Sequence, residues 1–474
     1  MSEKIYIGVA WPYANGSLSL GHIAGANLPA DIFARYHRAR GHEVLMVSGS
    51  DQHGTPITLE AEKQGKSPDE IVAYYQREFN ECWEKMGISF DLYTSTSTKN
   101  HAATAQDIFL RLLEKGYLYK DTISQFYCPK CQRFLPDRYV EGKCPSCGAA
   151  GARGDQCDAC SKPLNATELI NPYCRTCKTT PVMKDTEHFF LKLTAFQERL
   201  EKWAEENKER WRPNVYGLTM RYLKEGLRDR AITRDIDWGV PVPVKGFENK
   251  RLYVWFEAVI GYLSASKQWA KEIAKDENKW KDFWQDSSAK SYYFLGKDNI
   301  PFHTIIWPAI LMGYGELNLP TDVPANEFLN FEGKKISKSH HWGVWLPDYL
   351  ERYAPDPLRY LLSINMPETS DMDFSWREYV RKNNDELVAT WGNLVNRVLT
   401  FTYKNFNGCV PENGKLNDNG KILLGKAEEA VKQEDSLLAA CHFKQAIQQA
   451  MALAQEANRY LDEQAPWKTI KVDK

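Results

Sequence analysis

The sequence KIYIGVAWPYANGSLSLGH, residues 4–22, decides the fold of this chain. Its first part, residues 4–10, is a short apolar run rich in β-branched residues and predicts a buried parallel strand. A loop with proline and glycine follows, and residues 22–39 then carry helical spacing. Residues 43–49 predict a second strand. The order strand, helix, strand predicts a right-handed parallel crossover, with ligands bound where the strands end at residues 10–13 and 50–53.

The composition is that of an ordinary globular protein. The chain has 474 residues with 43% hydrophobic and 26% charged, which excludes disordered and collagen-like proteins. The formal net charge of −1 excludes a uniformly basic nucleic-acid coat, so any RNA contact has to come from local patches. At about 150 residues per domain, the length predicts roughly three domains. Neither a membrane span nor a signal peptide is expected.

The rest of the chain predicts a sheet that is interrupted by an insertion and resumes after it. Cysteine, proline and glycine replace the periodic apolar residues between 118 and 185, which marks the insertion. From residue 376 onward the pattern is helical without a strand signal and predicts a separate bundle. Residues 67–117 are predicted to be mainly helical, and helical spacing returns over 186–232, whereas 251–256 and 291–295 are predicted as strands.

Eight of the eleven cysteines form four C-x-x-C pairs within 50 residues. Such a cluster in a large chain without a signal peptide indicates a reducing compartment and thiolate metal ligands. Each pair supplies two thiolates from one tight turn, so four pairs predict two tetrahedral zinc sites. With all four positions taken by cysteine, both sites are expected to be structural. Redox dithiols or incidental surface cysteines are the alternatives.

A nested grouping of these pairs is predicted because the inner loop has only nine residues and closes at low entropic cost. The predicted groups are Cys144 and Cys147 with Cys157 and Cys160, and Cys128 and Cys131 with Cys174 and Cys177.

Two further motifs indicate phosphate chemistry. The glycine-containing turn at 12–22 ends in His22, which can donate a hydrogen bond to a phosphate, although a histidine at a helix start is often only a cap or surface residue. The segment Gly-Lys-Lys-Ile-Ser-Lys-Ser at 333–339 can neutralise a departing pyrophosphate, although a charged loop of this kind is often only solvated.

Together, the two motifs resemble the paired signatures of the class I aminoacyl-tRNA synthetases, and within that class the chain resembles the methionyl-tRNA synthetases. The resemblance runs from about residue 5 to Trp467. The cysteine-containing insertion of this chain is too short for the large editing domain of the valine, isoleucine and leucine enzymes. The matching stretches are WPYANGS (11–17), RGHEV (40–44), DQHGTPI (51–57), FLPDR (134–138), YVWFEA (253–258), GKD (296–298), FHTIIWP (302–308) and NLVNR (393–397).

The resemblance implies an α/β fold, with a Rossmann-type parallel-sheet catalytic domain, a zinc-knuckle insertion and a C-terminal α-helical anticodon-binding bundle. The expected domains are the two catalytic halves at 1–117 and 233–325, the connective insertion at 118–232, the lysine loop with a stem-contact region at 326–375, and the helical domain at 376–474. Because the family continues with more helix beyond Trp467, the bundle is expected to be incomplete and the chain to be a monomer.

It also implies the activity: ATP-dependent activation of L-methionine to methionyl-adenylate and transfer to the 3′ end of tRNA(Met), in the cytoplasm. The substrate carboxylate is itself the nucleophile, so no enzyme nucleophile is needed. Two structural zinc ions, and Mg²⁺ with ATP, are the expected cofactors.

The resemblance assigns the site residues as follows. Catalytic roles fall on Ser19, His22, Lys335 and Lys338. Methionine binding falls on Ala10, Trp11, Tyr13, Asp51, Trp255, Ala258, Tyr262 and His303. ATP binding falls on Gly21, His22, Gly296, Asp298 and Lys338, and anticodon recognition on Asn393, Arg397 and Trp467. As alternatives, Asp298 is a helix N-cap, Trp467 caps the bundle, and each aromatic taken singly is a core residue.

The chain departs from the family pattern at three positions. Ser19 stands where the first signature histidine belongs, and it cannot carry positive charge or reach as far. Glu257 and Val259 replace the usual aspartate and proline. Two rival hypotheses remain: the cysteine enzyme of the same class, whose catalytic-site zinc has scattered ligands, and an RNA-binding zinc protein that has lost activation.

Overall fold

The computed structural model describes residues 2–154, 157, 159–160, 164, 166–338, 341–412 and 414–471. Ser339 of the predicted lysine loop lies outside the described residues. The chain divides into two compact units. The first consists of Met1–Ser17, His42–Glu81 and Phe90–Pro324, and the second of Leu18–Gly41, Cys82–Ser89 and Ala325–Lys474. Within the described residues, no helix is both long and apolar enough to cross a membrane.

A parallel sheet forms the centre of the first unit. Its strands lie in the spatial order Lys290–Gly296, Lys4–Val9, Glu43–Ser50 and Leu92–Ser95. Both faces of the Lys4–Val9 strand are covered, and this is why its apolar run is nearly continuous. The strands expected near 4–10, 43–49 and 291–295 are therefore confirmed.

The segment 67–117 is mainly helical, as predicted, but it also contains a strand. Leu92–Ser95 is a strand between the helices Pro68–Met86 and Lys99–Glu114. This strand has four residues, of which only one is aliphatic. It is therefore stabilised by its pairing with Glu43–Ser50 and not by an apolar pattern of its own. Other helices in this part of the chain are Thr55–Gln64, Gly261–Glu272, Lys281–Trp284 and Trp307–Tyr314.

The insertion has an antiparallel sheet of its own. Leu118–Cys128 pairs along its length with Val182–Leu191, so the helical prediction that began at 186 is wrong for its first residues. The helices Gln197–Glu206 and Pro213–Glu225 follow, and the rings of Trp203 and Trp211 pack against each other with centroids 4.8 Å apart. The insertion also contains the short strands Arg133–Phe134, Val140–Lys143, Ala152–Arg153, Ile170–Cys174 and Arg230–Ala231.

The strand predicted at 251–256 is wrong in its larger part. Only Arg251–Leu252 is extended, and it pairs antiparallel with Thr233–Arg234 outside the parallel sheet. Val254–Ala258 is a helix. Aromatic and β-branched residues predict a strand here, but tertiary packing overrides that weak preference.

The second unit combines a small sheet with helices. The sheet contains Leu329–Phe331, Lys334–Lys335 and Met372–Phe374. The prediction that the chain is helical from 376 onward is confirmed for the residues that are described. The helices of this unit are Leu20–His22, Ile23–Asn27, Leu28–Ala39, Leu346–Leu350, Pro355–Ile364, Trp376–Arg381, Lys382–Gly392, Asn393–Asn405, Asp418–Ala439, Phe443–Gln464 and Pro466–Thr469.

Candidate active site and metal centres

Two loops meet at the carboxyl edge of the parallel sheet. The backbone N–H of Ala14 donates to the carbonyl of Asp51 at 2.8 Å, and the N–H of Asp51 donates to the carbonyl of Pro12 at 2.8 Å. Ala10 begins the first loop, where its N–H donates to the carbonyl of Phe294 on the neighbouring strand. The prediction that 10–13 and 50–53 share one edge is thus confirmed.

Asp51 presents a buried carboxylate at this edge. Its side chain accepts one hydrogen bond, at 3.3 Å, from the backbone N–H of His53. Burial, together with the nearby carboxylate of Glu257, raises the pKa of Asp51 well above its usual value. A cationic group of a ligand would reverse that penalty, so the site favours an ammonium partner for this residue.

Glu257 is a buried residue whose role the sequence analysis missed. One of its oxygens accepts a hydrogen bond from His53 Nδ1 at 2.8 Å, and the other accepts one from His101 Nε2. Burial opposes ionisation, but the two imidazoles lower the pKa of Glu257 below its ordinary value. A carboxylate inside the apolar stretch YVWFEA was the available signal, since such a group is seldom buried without partners.

The predicted aromatic residues include a hydrogen-bonded pair. His303 Nδ1 donates to the carbonyl of Asn299 at 2.9 Å, which leaves Nε2 to accept from the hydroxyl of Tyr262 at 2.8 Å. Burial lowers the pKa of His303 to about 4. The pair is therefore uncharged at neutral pH and suits a soft, neutral side chain.

Trp255 and Tyr13 form a second pair. The indole Nε1 of Trp255 donates to the hydroxyl of Tyr13 at 2.6 Å, and the Trp255 ring packs edge-on against Phe302 at 4.6 Å. Trp255 keeps 40% of its surface exposed, whereas Tyr262 keeps 2%. Trp255 therefore has an accessible aromatic surface, and Phe302 is a neighbour that the sequence analysis did not select.

Trp11 is held by two glycines. A Cβ atom would lie 2.6 Å from the Trp11 ring at Gly49 and 2.8 Å from it at Gly261. Any side chain at either glycine would therefore displace the indole. Ala258, the last residue of the helix Val254–Ala258, contributes a small, half-buried side chain.

The second unit brings the two signature motifs together. Ser19 forms an antiparallel bridge with Trp345, and the N–H of Leu20 donates to the carbonyl of Val344 at 3.2 Å. A Cβ at Gly21 would lie 3.7 Å from Ile336 of the lysine loop. The motifs around 20–22 and 333–338 are therefore neighbours, although more than 300 residues separate them.

His22 is held in one tautomer. Its Nδ1 accepts a hydrogen bond from the backbone N–H of Ser19 at 3.0 Å, with the Ser19 hydroxyl also at 3.0 Å. The remaining proton of the neutral ring therefore lies on Nε2. Burial and then the positive charge of Lys338 lower the pKa of His22 to about 3. Lys338 itself is exposed, as is Lys335, whose ammonium lies 4.9 Å from the centre of the Phe328 ring.

Gly296 and Asp298 lie where a strand of the parallel sheet ends. Gly296 ends Lys290–Gly296, and Asp298 follows in the short 3-10 turn Lys297–Asn299, with its side chain exposed. Gly296, not Asp298, occupies the N-cap position of that turn. The N-cap alternative for Asp298 is therefore wrong, and its carboxylate can contact a ligand.

The eight cysteines of the insertion form two groups of four, as the nested grouping predicts. The sulfurs of each group all lie within 4.8 Å of one another. The paired Sγ atoms are 3.4 to 3.9 Å apart, and four thiolates around zinc lie roughly 3.8 Å apart for Zn–S bonds of about 2.3 Å. The residues present therefore fit tetrahedral zinc in both groups.

The zinc content of cysteine variants tests the predicted grouping. Chain purified with zinc should carry about two equivalents, and Cys144→Ser should carry about one. The double variant Cys144→Ser/Cys157→Ser should still carry one, because both changes fall in the same group. Cys128→Ser/Cys144→Ser should carry none. Zinc is released by acid and measured by atomic absorption. Equal amounts of zinc in the two double variants would contradict the grouping.

The three predicted anticodon residues lie together on the C-terminal helices. The guanidinium of Arg397 stacks over the Trp467 ring at 5.0 Å and pairs with Asp462 at 2.5 Å. The side-chain amide of Asn393 lies 3.4 Å from the side-chain oxygen of Asn458. Trp467 remains 38% exposed, so part of its side chain is accessible to a ligand.

Comparison with known proteins gives the family. Residues 5–399 match the model of "tRNA synthetases class I (M)", and residues 410–474 match the "Anticodon binding domain of methionyl tRNA ligase". The chain belongs to the methionyl family of class I tRNA synthetases. It is therefore a ligase with a Rossmann-like catalytic fold.

Several relatives are similar over almost the whole of this synthetase. It is 63% identical over 474 residues to the methionine--tRNA ligase of Dehalococcoides mccartyi, covering all of this chain and 85% of the relative. The methionine--tRNA ligase of Thermomicrobium roseum is 54% identical over 475 residues, with coverage of 100% and 81%.

A solved structure gives a similar fold. The methionyl-tRNA synthetase of Mycobacterium tuberculosis, in complex with methionyl-adenylate, superposes on this synthetase with a TM-score of 0.80 at 25% identity. The superposition covers 98% of this chain and 85% of that chain.

Proposed function

We propose that this chain joins L-methionine to tRNA(Met) and first uses ATP to form methionyl-adenylate. The main support is the buried Asp51 carboxylate, which favours an ammonium partner and lies in a unit that also holds the uncharged Tyr262–His303 pair. An amino acid with a soft, neutral side chain satisfies both features.

In the activation step, a carboxylate oxygen of methionine attacks the α-phosphate of ATP, and the bond to the β-phosphate breaks to release pyrophosphate. Since the substrate supplies the nucleophile, the protein contributes positioning and charge stabilisation. The Nε2–H of neutral His22 donates to a phosphate oxygen. The ammonium groups of Lys338 and Lys335 balance the charge of pyrophosphate, and Mg²⁺ bound with ATP would supply further positive charge.

In this proposal, ATP contacts the backbone at two glycines and one polar side chain. Gly21 lacks a Cβ, so the backbone at the start of the signature can approach a phosphate closely. Gly296 allows the same close approach for the adenosine. The exposed Asp298 carboxylate accepts hydrogen bonds from the ribose hydroxyls.

Methionine is recognised by one charge and several aromatic surfaces. Asp51 pairs with the α-ammonium. Tyr262, His303 and Trp255 surround the thioether, for which contacts between sulfur and aromatic rings are favourable. The remaining residues of the proposed pocket are Ala10, Trp11, Tyr13 and Ala258.

Trp255→Ala should raise the KM for methionine about tenfold or more, while the KM for ATP changes by less than about twofold. The reason is that Trp255 offers exposed ring surface to a ligand and also donates a hydrogen bond to Tyr13. Both constants come from ATP–pyrophosphate exchange. Trp255→Phe keeps a ring without the donor and serves as the matched control. Equal losses for both substrates would contradict the pocket assignment.

The zinc ions have a structural role in this proposal. Each cysteine group can supply four thiolates, which leaves no open coordination position for a substrate. Bound zinc would tie together the short strands of the insertion between residues 133 and 174.

The helical region recognises the anticodon. Trp467 stacks on an unpaired base, while the side chains of Asn393 and Arg397 can read base edges, as in the recognition of single-stranded RNA loops. A transcript with the CAU anticodon should therefore bind more tightly than one with another anticodon.

Methionine-dependent ATP–pyrophosphate exchange tests the proposed function. Exchange is expected with methionine and not with cysteine, followed by formation of methionyl-tRNA(Met). Exchange with cysteine would favour the cysteine enzyme, whose catalytic-site zinc has scattered ligands. tRNA binding without any exchange would favour an RNA-binding zinc protein that has lost activation.

A further inference from the structure

Glu257 lies at the centre of a buried network that the proposed mechanism does not use. Its carboxylate is held between His53 Nδ1, at 2.8 Å, and His101 Nε2. Glu257 and His101 have no exposed surface, and His53 has 7%. A buried carboxylate with a hydrogen bond to each oxygen is fixed in position and keeps its charge.

The two histidines come from different parts of the first unit. His53 follows Asp51 by two residues, and its backbone N–H donates to the Asp51 carboxylate. His101 lies in the first turn of the helix Lys99–Glu114, where its backbone N–H donates to Thr98 Oγ1 at 3.1 Å. The carboxylate thus connects the helix that carries Trp255 to the turn that carries Asp51.

A third segment holds the far side of the network. His101 Nδ1 lies 2.9 Å from Ser264 Oγ on the helix Gly261–Glu272, and the Ser264 hydroxyl donates to this nitrogen of the neutral ring. The orientation of the His101 ring is therefore set from both of its nitrogens. A buried polar network with hydrogen bonds on several sides is rigid, and rigidity of this kind is useful next to a binding site.

The negative charge of Glu257 affects the ionisation of Asp51, because the two carboxylates are close together. The titratable groups near Asp51 include Glu257 on the helix Val254–Ala258, Tyr13 on the opposite loop and His53 on its own turn, and the positive charge of Arg138 acts on Tyr13. Two buried carboxylates repel each other until a cation binds. The potential at Asp51 is therefore more negative than one carboxylate alone would produce.

We propose that Glu257 is a positioning residue for the amino-acid substrate, which orients Asp51 through His53 and adds the negative potential that selects ligands with an ammonium group. This inference rests on the proposed binding of methionine and extends it to a residue that does not itself touch the substrate. Its charge, and not only its bulk, is required.

Glu257→Gln tests the role of that charge with almost no change of shape. The KM for methionine should rise about tenfold or more, while the KM for ATP stays within about twofold of the wild-type value. The preference for methionine over 4-(methylthio)butanoate, which lacks the ammonium, should fall by a similar factor. Competitive inhibition of exchange by 4-(methylthio)butanoate measures that preference.

The pH profile separates this role from a merely structural one. Because Glu257 raises the pKa of Asp51, removing its charge lowers that pKa. The acidic limb of kcat/KM for methionine should therefore move to lower pH in Glu257→Gln. Loss of packing alone would lower activity without moving the limb.

Glu257→Asp is the matched control because it keeps the charge on a shorter side chain. It should keep the acidic limb in place and retain the preference for methionine over 4-(methylthio)butanoate. Equal behaviour of the Gln and Asp variants, or an unmoved limb in Glu257→Gln, would overturn the inference. If Glu257→Gln does not fold, His53→Gln replaces it, because this change removes the imidazole that contacts Glu257. An unchanged KM for methionine in that variant would overturn the inference, whereas absence of exchange in the wild type would overturn the proposed function instead.

Discussion

His22→Ala is expected to lower kcat for methionine-dependent ATP–pyrophosphate exchange by about 100- to 1,000-fold, the usual cost of removing one preorganised donor from a developing charge. His22 is neutral above about pH 3, and its Nδ1 is occupied by Ser19. The Nε2–H is therefore a fixed donor at every working pH. No change of rate from titration of His22 is expected between pH 6 and 8, a range well above that pKa.

Ser19 distinguishes support of the ring from direct contact with phosphate. Ser19→Ala removes the hydroxyl but keeps the backbone N–H that holds Nδ1. A loss of about three- to tenfold is expected, which corresponds to one ordinary hydrogen bond. His42→Ala, which removes a histidine beside Glu3, is the control and should retain full activity. A larger loss in Ser19→Ala than in His22→Ala would contradict these roles.

Asp51→Asn should lower kcat/KM for methionine by about 1,000-fold, because removing one partner of a buried ion pair costs about 4 kcal/mol. The amide keeps the shape of the carboxylate, and its oxygen can still accept the hydrogen bond from the N–H of His53. The KM for ATP should change by less than about twofold. Exchange kinetics with each substrate varied in turn measure both effects.

The pH dependence of methionine use follows from the same carboxylate. The pKa of Asp51 is raised, so this group is still protonated at a pH at which an ordinary aspartate is ionised. Methionine keeps its ammonium throughout that range, so kcat/KM should rise with pH as Asp51 ionises and then level off. The Asn variant should lack this acidic limb. A limb of unchanged shape in Asp51→Asn would show that another group controls methionine binding.

Much of the framework follows from local patterns. The strands Lys4–Val9, Glu43–Ser50 and Lys290–Gly296 each contain an apolar run because both faces of a parallel sheet are covered. Leu92–Ser95 lacks such a run and becomes a strand only through its pairing with Glu43–Ser50. For the segment 254–258 the opposite error occurs: its β-forming residues predict a strand, but tertiary packing holds them in a helix.

Some features of the candidate sites could also be predicted from local patterns, and others could not. The cysteine spacing alone was enough to predict the two groups of four, because a nine-residue loop closes easily. The roles of His53, His101 and Glu257 could not be read from the chain, since each is a common residue without a motif. Only packing brings them within hydrogen-bond distance.

The sequence by itself determined the parallel sheet, the grouping of the eight cysteines, the helical C-terminal region and the identity of the two signature motifs. These depend on periodicity and short spacing, which are local properties of a chain. Tertiary structure alone decided the tautomer of His22, the burial of Asp51 and the pairing of Glu257 with two histidines. Protonation and charge depend on which groups share a buried volume, and residues distant in sequence come together there only when the chain has folded.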